Sequence, residues 1–313
     1  MNETKLINLA GVIPVLPTPF TAEGEVDEEA FRNVINAAIA DGASGLAMFG
    51  LASEYAKLSD AEKVGLGKIL TEQVAKRVPV IVAITHHSLE VARKEGVEAM
   101  RAGADALMII PPFFMAPNAE SIQNHIATIA AETAAPVIVQ YAPIQTGTSL
   151  TAEACAALHE KHRNISYVKV DLIPSGPVIA RLQTLSNKSL KSIVGYMGLH
   201  LPDDVARGAV ALMPTVSVCR PFTEIFRLLQ TEPGAGRQLH ERLLPLLNFM
   251  MQSVEMLVAI EKVILQRRGL LASAYCRGPR CTLDALHIAE LDRLYSALGD
   301  LLPSPLSTGG RIE

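Results

Sequence analysis

The chain has 313 residues, with 28 Lys and Arg against 32 Asp and Glu and a formal charge of −4, a balance that excludes a basic nucleic-acid binder. At 49% hydrophobic and 19% charged residues it is too apolar to stay disordered and can bury a large core. Its longest apolar run, Ala106 to Pro117, contains three prolines and falls well short of the roughly 20 residues of a membrane-spanning helix, so no span is expected.

The opening Met1-Asn-Glu-Thr-Lys-Leu carries an acidic residue and no apolar segment, so it does not read as a secretory signal and a cytoplasmic location is expected. Short apolar, β-branched runs then recur: Val12 to Pro17, Gly45 to Gly50, Pro79 to Thr85, Ala104 to Ile110, Pro136 to Ala142, Ser166 to Asp171, Ser192 to Gly198 and Val210 to Ser217. Most are apolar on both parities, as a parallel strand covered on both faces should be. Helical patterns lie between them. Phe31, Val34, Ile35, Ala38 and Ile39 form a stripe behind an Asp27 cap and stop at Asp41-Gly42; Ser59 to Glu62 reads as a capping box; Ile122, Ile126 and Ile129 mark a further stripe. Repeated β-α units of this spacing predict an α/β fold, a (β/α)8 TIM barrel over residues 1–220, with an open doubly wound sheet as the alternative.

Residues 221–302 lack strand signals and predict an all-helical extension, including a nearly uncharged stretch from Leu243 to Leu265 that packs either within the molecule or also on a partner subunit. Residues 303–313 read as a flexible tail. The four cysteines, Cys155, Cys219, Cys276 and Cys281, lack zinc-knuckle spacing and are expected as free thiols.

Active groups of such barrels sit inward at the C-terminal ends of strands. The sixth run, Ser166-Tyr-Val-Lys-Val-Asp171, places Lys169 there among apolar neighbours. Enclosure disfavours the charged ammonium and makes accessible a neutral amine able to condense with a ketone, whose iminium then acts as an electron sink. A lysine snorkelling to the rim or paired structurally would give the same pattern. Asp171, two residues on, shares its face. It could move protons for the chemistry, or hold Lys169 as an inert ion pair. His86, His87 and His200 fall on loops near the same mouth without metal-ligand spacing, so no metal site is expected.

Several motifs occur in order: Leu16-Pro-Thr-Pro-Phe20, Gly50-x-x-x-Glu54-x-x-x-Leu58-Ser59, Pro143-x-x-Thr146-Gly147, Lys169 on the sixth strand and Gly195 after the seventh. Together they resemble the dihydrodipicolinate synthase and N-acetylneuraminate lyase family of class I aldolases, over roughly residues 8 to 300. The resemblance implies an oligomeric barrel, a tetramer or dimer, that needs no cofactor and uses Lys169 to form a Schiff base with pyruvate or a related 2-oxo acid. It also implies that Thr18 and Gly195 line the substrate site.

The departures from the family pattern bear on the reaction. The two hydroxyl residues that bind the substrate carboxylate are replaced in Gly50-Leu51-Ala52-Ser53-Glu54, leaving the N–H groups of Ala52 and Ser53, and the Ser53 hydroxyl, as candidate donors. Gln140 stands where the family has a proton-shuttling tyrosine, and an amide cannot be a general acid or base. Tyr141 is one residue off and substitutes only if the strand end is irregular. Pro112-Phe113-Phe114 lacks the relay phenol lent across a subunit interface, and Gln145 replaces the arginine that receives the synthases' second substrate.

The expected function is a Schiff-base lyase, a dehydratase or aldolase acting on a 2-oxo acid such as a 3-deoxy-2-oxo sugar acid, rather than dihydrodipicolinate synthesis. A barrel that binds a 2-oxo acid without turnover is the alternative from another class. A metal-dependent aldolase on the same fold is a third.

Overall fold

The computed structural model describes residues 7–148 and 150–302. It contains eight strands, each overlapping one of the expected runs: β1 (Gly11–Val12), β2 (Leu46–Met48), β3 (Val80–Ile84), β4 (Ala106–Ile109), β5 (Val137–Tyr141), β6 (Ile165–Val170), β7 (Lys191–Val194) and β8 (Ala209–Leu212). Every residue of β2, β3, β4 and β6 is buried, the condition under which Val/Ile/Leu/Ala runs form parallel strands covered on both faces. All pairings are parallel, in the order β1-β8-β7-β6-β5-β4-β3-β2. The ring closes between β1 and β2 at a Val15–Ala47 bridge, where Leu16 N–H donates to Ala47 O at 2.8 Å and Ala47 N–H to Pro14 O at 3.0 Å. Sequential closure makes a (β/α)8 TIM barrel and removes the doubly wound alternative, whose strand order reverses at a switch point.

Helix α1 (Glu28–Ala40) starts at Asp27, whose carboxylate accepts the Ala30 N–H, and buries the expected stripe of Phe31, Val34, Ile35 and Ala38. Ser59 and Glu62 form the expected capping box on α2 (Asp60–Val74). The outer ring continues with α3 (Leu89–Arg101), α4 (Ala119–Thr133), the single turn α5 (Pro143–Thr146), α6 (Ala152–Lys161), α7 (Ser175–Leu185), α8 (Leu201–Ala206) and α9 (Cys219–Thr231), which packs on β1. Three more helices follow: α10 (Pro233–Met250), α11 (Val254–Arg267) and α12 (Ala285–Leu298). Leu243 to Leu265 is therefore not one helical stretch. It breaks after Met250, Ser253 caps α11 by accepting the Met256 N–H at 3.0 Å, and the two helices bend by 115°. Among the described residues no single helix is long and apolar enough to cross a membrane. The four cysteines are free thiols. The tail at 303–313 lies outside the described residues.

The register identifies the inward residues. Val15 pairs with Ala47, Ala47 with Ile81, Ala83 with Met108, Met108 with Ile138, Gln140 with Lys169, Lys169 with Ile193, Ile193 with Ala211 and Ala211 with Gly11. Steps of two along each strand join these pairs into one unbroken circuit of a single parity. A Cβ on Gly50 would lie 3.2 Å from Val15 Cγ1 and 3.7 Å from Met108 Cε. The side chains of Val15, just beyond β1, and Met108 of β4 can meet one point in this way only inside the ring, so this parity faces the barrel interior.

Helix α11 is buried from Met256 to Leu265, which explains its lack of a polar face, yet it carries Glu261 and Lys262 at its centre. Lys262 is fully buried. Its ammonium pairs with Glu54 Oε1, donates to Tyr275 O at 2.9 Å and sits 4.2 Å from the Phe20 ring centroid. Lys57 meets the other Glu54 oxygen at 3.1 Å and Glu255 at 2.8 Å. Removing one member of such a buried pair strands the other charge. Lys262→Met is expected to lower unfolding free energy in urea titrations by about 3 kcal/mol, at the lower end for a broken buried pair because Lys57 remains beside Glu54.

Candidate active site

Lys169 occupies the inward parity of β6 near its C-terminal end, only 7% exposed, and Asp171 follows at 6%. The Asp171 N–H donates to Tyr141 O at 2.8 Å, so sheet pairing continues one residue past the strand and keeps the aspartate on the lysine's face. Lys169 Nζ lies 3.0 Å from Asp171 Oδ2. That same oxygen accepts a 2.7 Å hydrogen bond from Gln140 Nε2, while Oδ1 accepts one of 2.8 Å from the Tyr196 N–H. The carboxylate is thus fixed by three donors from three strand ends. Gln140 is wholly buried and in register with Lys169. Its amide orientation is fixed, because turning it over would set a carbonyl oxygen against a carboxylate.

Gly195 has a steric reason for its identity. A Cβ there would stand 1.9 Å from Asp171 Oδ1 and 2.8 Å from Val170 O, so only a glycine lets the loop after β7 close over the aspartate. The backbone then turns through left-handed Tyr196 and Met197, at φ of 48° and 54°, which aims the Tyr196 N–H at the carboxylate. Tyr196 carries no motif in the sequence; a backbone donor leaves no side-chain signature.

Thr18 and Ser53 are both fully buried, and their hydroxyls are tied to backbone: Thr18 Oγ1 donates to Ser53 O and Ser53 Oγ to Leu16 O, each at 2.6 Å. The Ser53 N–H donates to Gly50 O at 2.9 Å. Both Ser53 donors are therefore spent holding the β1 and β2 loops together, and the expectation that they receive a substrate carboxylate is corrected. Of the two residues expected there, Ala52 keeps an N–H with no acceptor inside the 3-10 turn Leu51–Ser53, since it precedes the first turn bond.

The condition on which Tyr141 was to reach the substrate, an irregular strand end, is not met. From Ile138 strand β5 stays regular to its end, Tyr141 pairs with Val170 on the outward parity, and it is half-buried on the helical side near Cys155 and Glu153 of α6. Burial there raises its phenol above the ordinary range. The irregularity that would have turned it inward is absent from the described β5–β6 register beyond Ile138.

The loop histidines have ordinary partners. His86 Nδ1 accepts the Ser88 N–H at 3.0 Å, and His87 stacks edge-on to Phe113 with centroids 4.7 Å apart. Beneath them His125 of α4 is 5% exposed, and burial, then His87 and His86, push it down to about 4. Among the described residues no three His, Cys, Asp or Glu side chains converge as metal ligands do. A cavity of about 750 Å³ lies outside the barrel, between α2 and α3, and is lined by Val64, Thr71, Val91 and Glu95, with no contribution from Lys169.

Two groups near the mouth carry no sequence motif. Glu261 of α11, 1% exposed, accepts the Ser217 N–H on both oxygens at 3.0 and 3.2 Å and braces the loop after β8. Lys262 is a second buried amine. Its donors are saturated by Glu54, Tyr275 and Phe20, whereas Lys169 faces the barrel interior.

The fold and the site define a (β/α)8 barrel with a lysine and carboxylate centre at its C-terminal mouth. The family model described as the dihydrodipicolinate synthetase family matches residues 8–298, and the chain belongs to that family. The 4-hydroxy-tetrahydrodipicolinate synthase of Acidobacterium capsulatum is 28% identical over 306 residues, 96% of this chain and 99% of the relative. The L-2-keto-3-deoxyarabonate dehydratase of Azospirillum brasilense is 28% identical over 289 residues, 90% of this chain and 92% of the relative. The dihydrodipicolinate synthase structure from Rhodopseudomonas palustris shares the fold at a TM-score of 0.84 and 24% identity, covering 93% of this chain and 98% of that one. A synthase and a dehydratase at equal identity do not select between reactions; the side chains at the mouth must.

Proposed function

We propose that the protein is a Schiff-base lyase acting on a 2-oxo acid, with Lys169 as nucleophile and Asp171 as its proton carrier. The observation that carries this reading is the 3.0 Å contact of Lys169 Nζ with a carboxylate that two further donors hold in place. Asp171 takes a proton from the ammonium, and the neutral amine adds to C2 of the ketone. The protonated aspartic acid then gives its proton to the departing carbinolamine hydroxyl, which leaves as water and yields the iminium and the carboxylate. The iminium acidifies C3. For elimination Asp171 removes that proton to form the enamine, which expels the C4 hydroxyl as water with the Asp171 proton; for cleavage Asp171 instead takes the C4 hydroxyl proton as the C3–C4 bond breaks, an aldehyde leaves, and the enamine takes the proton back at C3. In either route water added at C2 releases the product and restores the Lys169 amine. One carboxylate thus covers the steps for which the family tyrosine is absent.

Elimination or cleavage is favoured over dihydrodipicolinate synthesis because Gln140 and Gln145 stand where a phenol and an arginine would serve the condensation. A small 2-oxo acid is the partner in this reading, in a cytoplasmic homo-oligomer that needs no cofactor. Phe114 and Met115, 68% and 86% exposed on the loop after β4, give a second subunit apolar surface to cover. A non-catalytic binder is the second reading, favoured by the same ion pair, which would hold the ammonium charged. A panel of 3-deoxy-2-oxo acids is expected to show one that releases pyruvate or loses water. Binding of several acids with turnover of none would support the binder.

A further inference from the structure

Asp204 of α8 is wholly buried, yet only one of its oxygens is satisfied. Oδ1 accepts a 2.7 Å hydrogen bond from Ser175 Oγ, and Oδ2 has no partner among the described residues. Burial pushes this carboxyl up to about 6, the mark of an acid kept from water. Ser175 is buried as well and opens α7. The starts of the two helices abut there, since a Cβ on Gly176 would stand 2.3 Å from Asp203 Oδ2 and 2.6 Å from Arg207 Nε.

The bond joins two loops that meet again at the Asp171 carboxylate. Asp171 leads through 172–174 into Ser175, and Tyr196, whose N–H donates to Asp171 Oδ1 at 2.8 Å, leads through 197–203 to Asp204. The second path is itself hydrogen-bonded along its length: Gly198 N–H to Gly195 O at 2.9 Å, Leu199 N–H to Tyr196 O at 3.3 Å and Asp204 N–H to His200 O at 3.1 Å. Backbone and hydrogen bonds thus close a circuit from Asp171 to Ser175, Asp204, Tyr196 and back. Cutting it at Ser175 loosens the far ends of both loops and leaves two buried carboxylate oxygens without a donor. The β7 loop then relies on His240 of α10, whose Nε2 donates to Gly198 O at 2.8 Å and limits the displacement.

Resting on the Schiff-base reading above, we propose that Ser175 and Asp204 are positioning residues: their buried hydrogen bond ties the loops after β6 and β7 and so holds the Tyr196 N–H, and with it the Asp171 carboxylate, against Lys169. Ser175→Ala cuts the tie; Asp204→Asn drops the charge and keeps an acceptor for Ser175 Oγ. Hydrogen-exchange mass spectrometry of peptides covering 195–199 is expected to show exchange about fivefold or more faster in Ser175→Ala than in wild type or Asp204→Asn, with β3 peptides unchanged. The rate of imine formation at saturating pyruvate, trapped with borohydride, is expected to fall roughly tenfold in Ser175→Ala, with half-saturation within about twofold and Asp204→Asn near wild type. That loss is smaller than the roughly 10²-fold of a full 1 Å misplacement because His240 remains. In an Asp171→Asn background the same Ser175→Ala change is expected to cost less than about twofold, since no carboxylate is left to misplace. A merely structural tie would cost the same in both backgrounds and would overturn the assignment, as would unchanged exchange in Ser175→Ala. If the wild-type protein forms no imine with pyruvate, the lyase reading fails separately and the exchange contrast alone decides the tie.

Discussion

Asp171→Asn is expected to lower turnover of the true substrate by roughly 10²- to 10⁴-fold, the range over which a positioned general acid or base acts. The amide keeps the size of the carboxylate and can still accept the Tyr196 N–H, so the loop after β7 is retained. It can neither take the proton of the Lys169 ammonium nor remove one from C3. Under the inert-pair reading the outcome has the opposite sign, because releasing Lys169 from its counter-charge would make the amine more reactive toward a ketone. Single-turnover rates of the wild type and the variant, measured across pH, separate the two.

Gly195→Ala is expected to cut kcat by about 100-fold or more while the barrel still folds. An added Cβ would sit 1.9 Å from Asp171 Oδ1, and the neighbouring Val170 O at 2.8 Å closes the other direction. The carboxylate must then swing away, losing the Tyr196 N–H and its alignment with Lys169, and a misplacement of about 1 Å is enough for a loss of that size. A variant with ordinary kcat would show that the position of Asp171 does not matter to the chemistry.

Much of the architecture was legible because burial on both faces writes itself into composition. The eight runs are apolar at nearly every position, and the capped helices between them carry their own start signals at Asp27 and Ser59. Lys169 stood out as a charge in such a run and alternation placed Asp171 on its face, whereas Gln140 was singled out only by the family resemblance and its register with Lys169 is a structural finding. The break at 251–253 does carry a local signal, Gln252 and the capping Ser253, but the apolar residues on both sides of it mask that signal when the stretch is read as a whole. The fate of the Ser53 donors depends on backbone oxygens of Leu16 and Gly50, which no side-chain pattern records. Lys262 and Glu54 are 208 residues apart, and their pairing becomes visible only when α11 is laid beside the β2 loop. A charged pair at 261–262 within an apolar helix was the one available hint. Gly195 was carried by its motif alone; the reason that no other residue fits is a close approach across two strands.

The most direct measurement of the central claim is borohydride reduction in the presence of pyruvate or a 3-deoxy-2-oxo acid, followed by peptide mapping. One adduct per chain is expected, on Lys169, absent in Lys169→Ala and unchanged in Lys262→Met provided that variant folds. An adduct on Lys262, or none with any 2-oxo acid while the folded wild-type protein still turns its substrate over, would contradict the account.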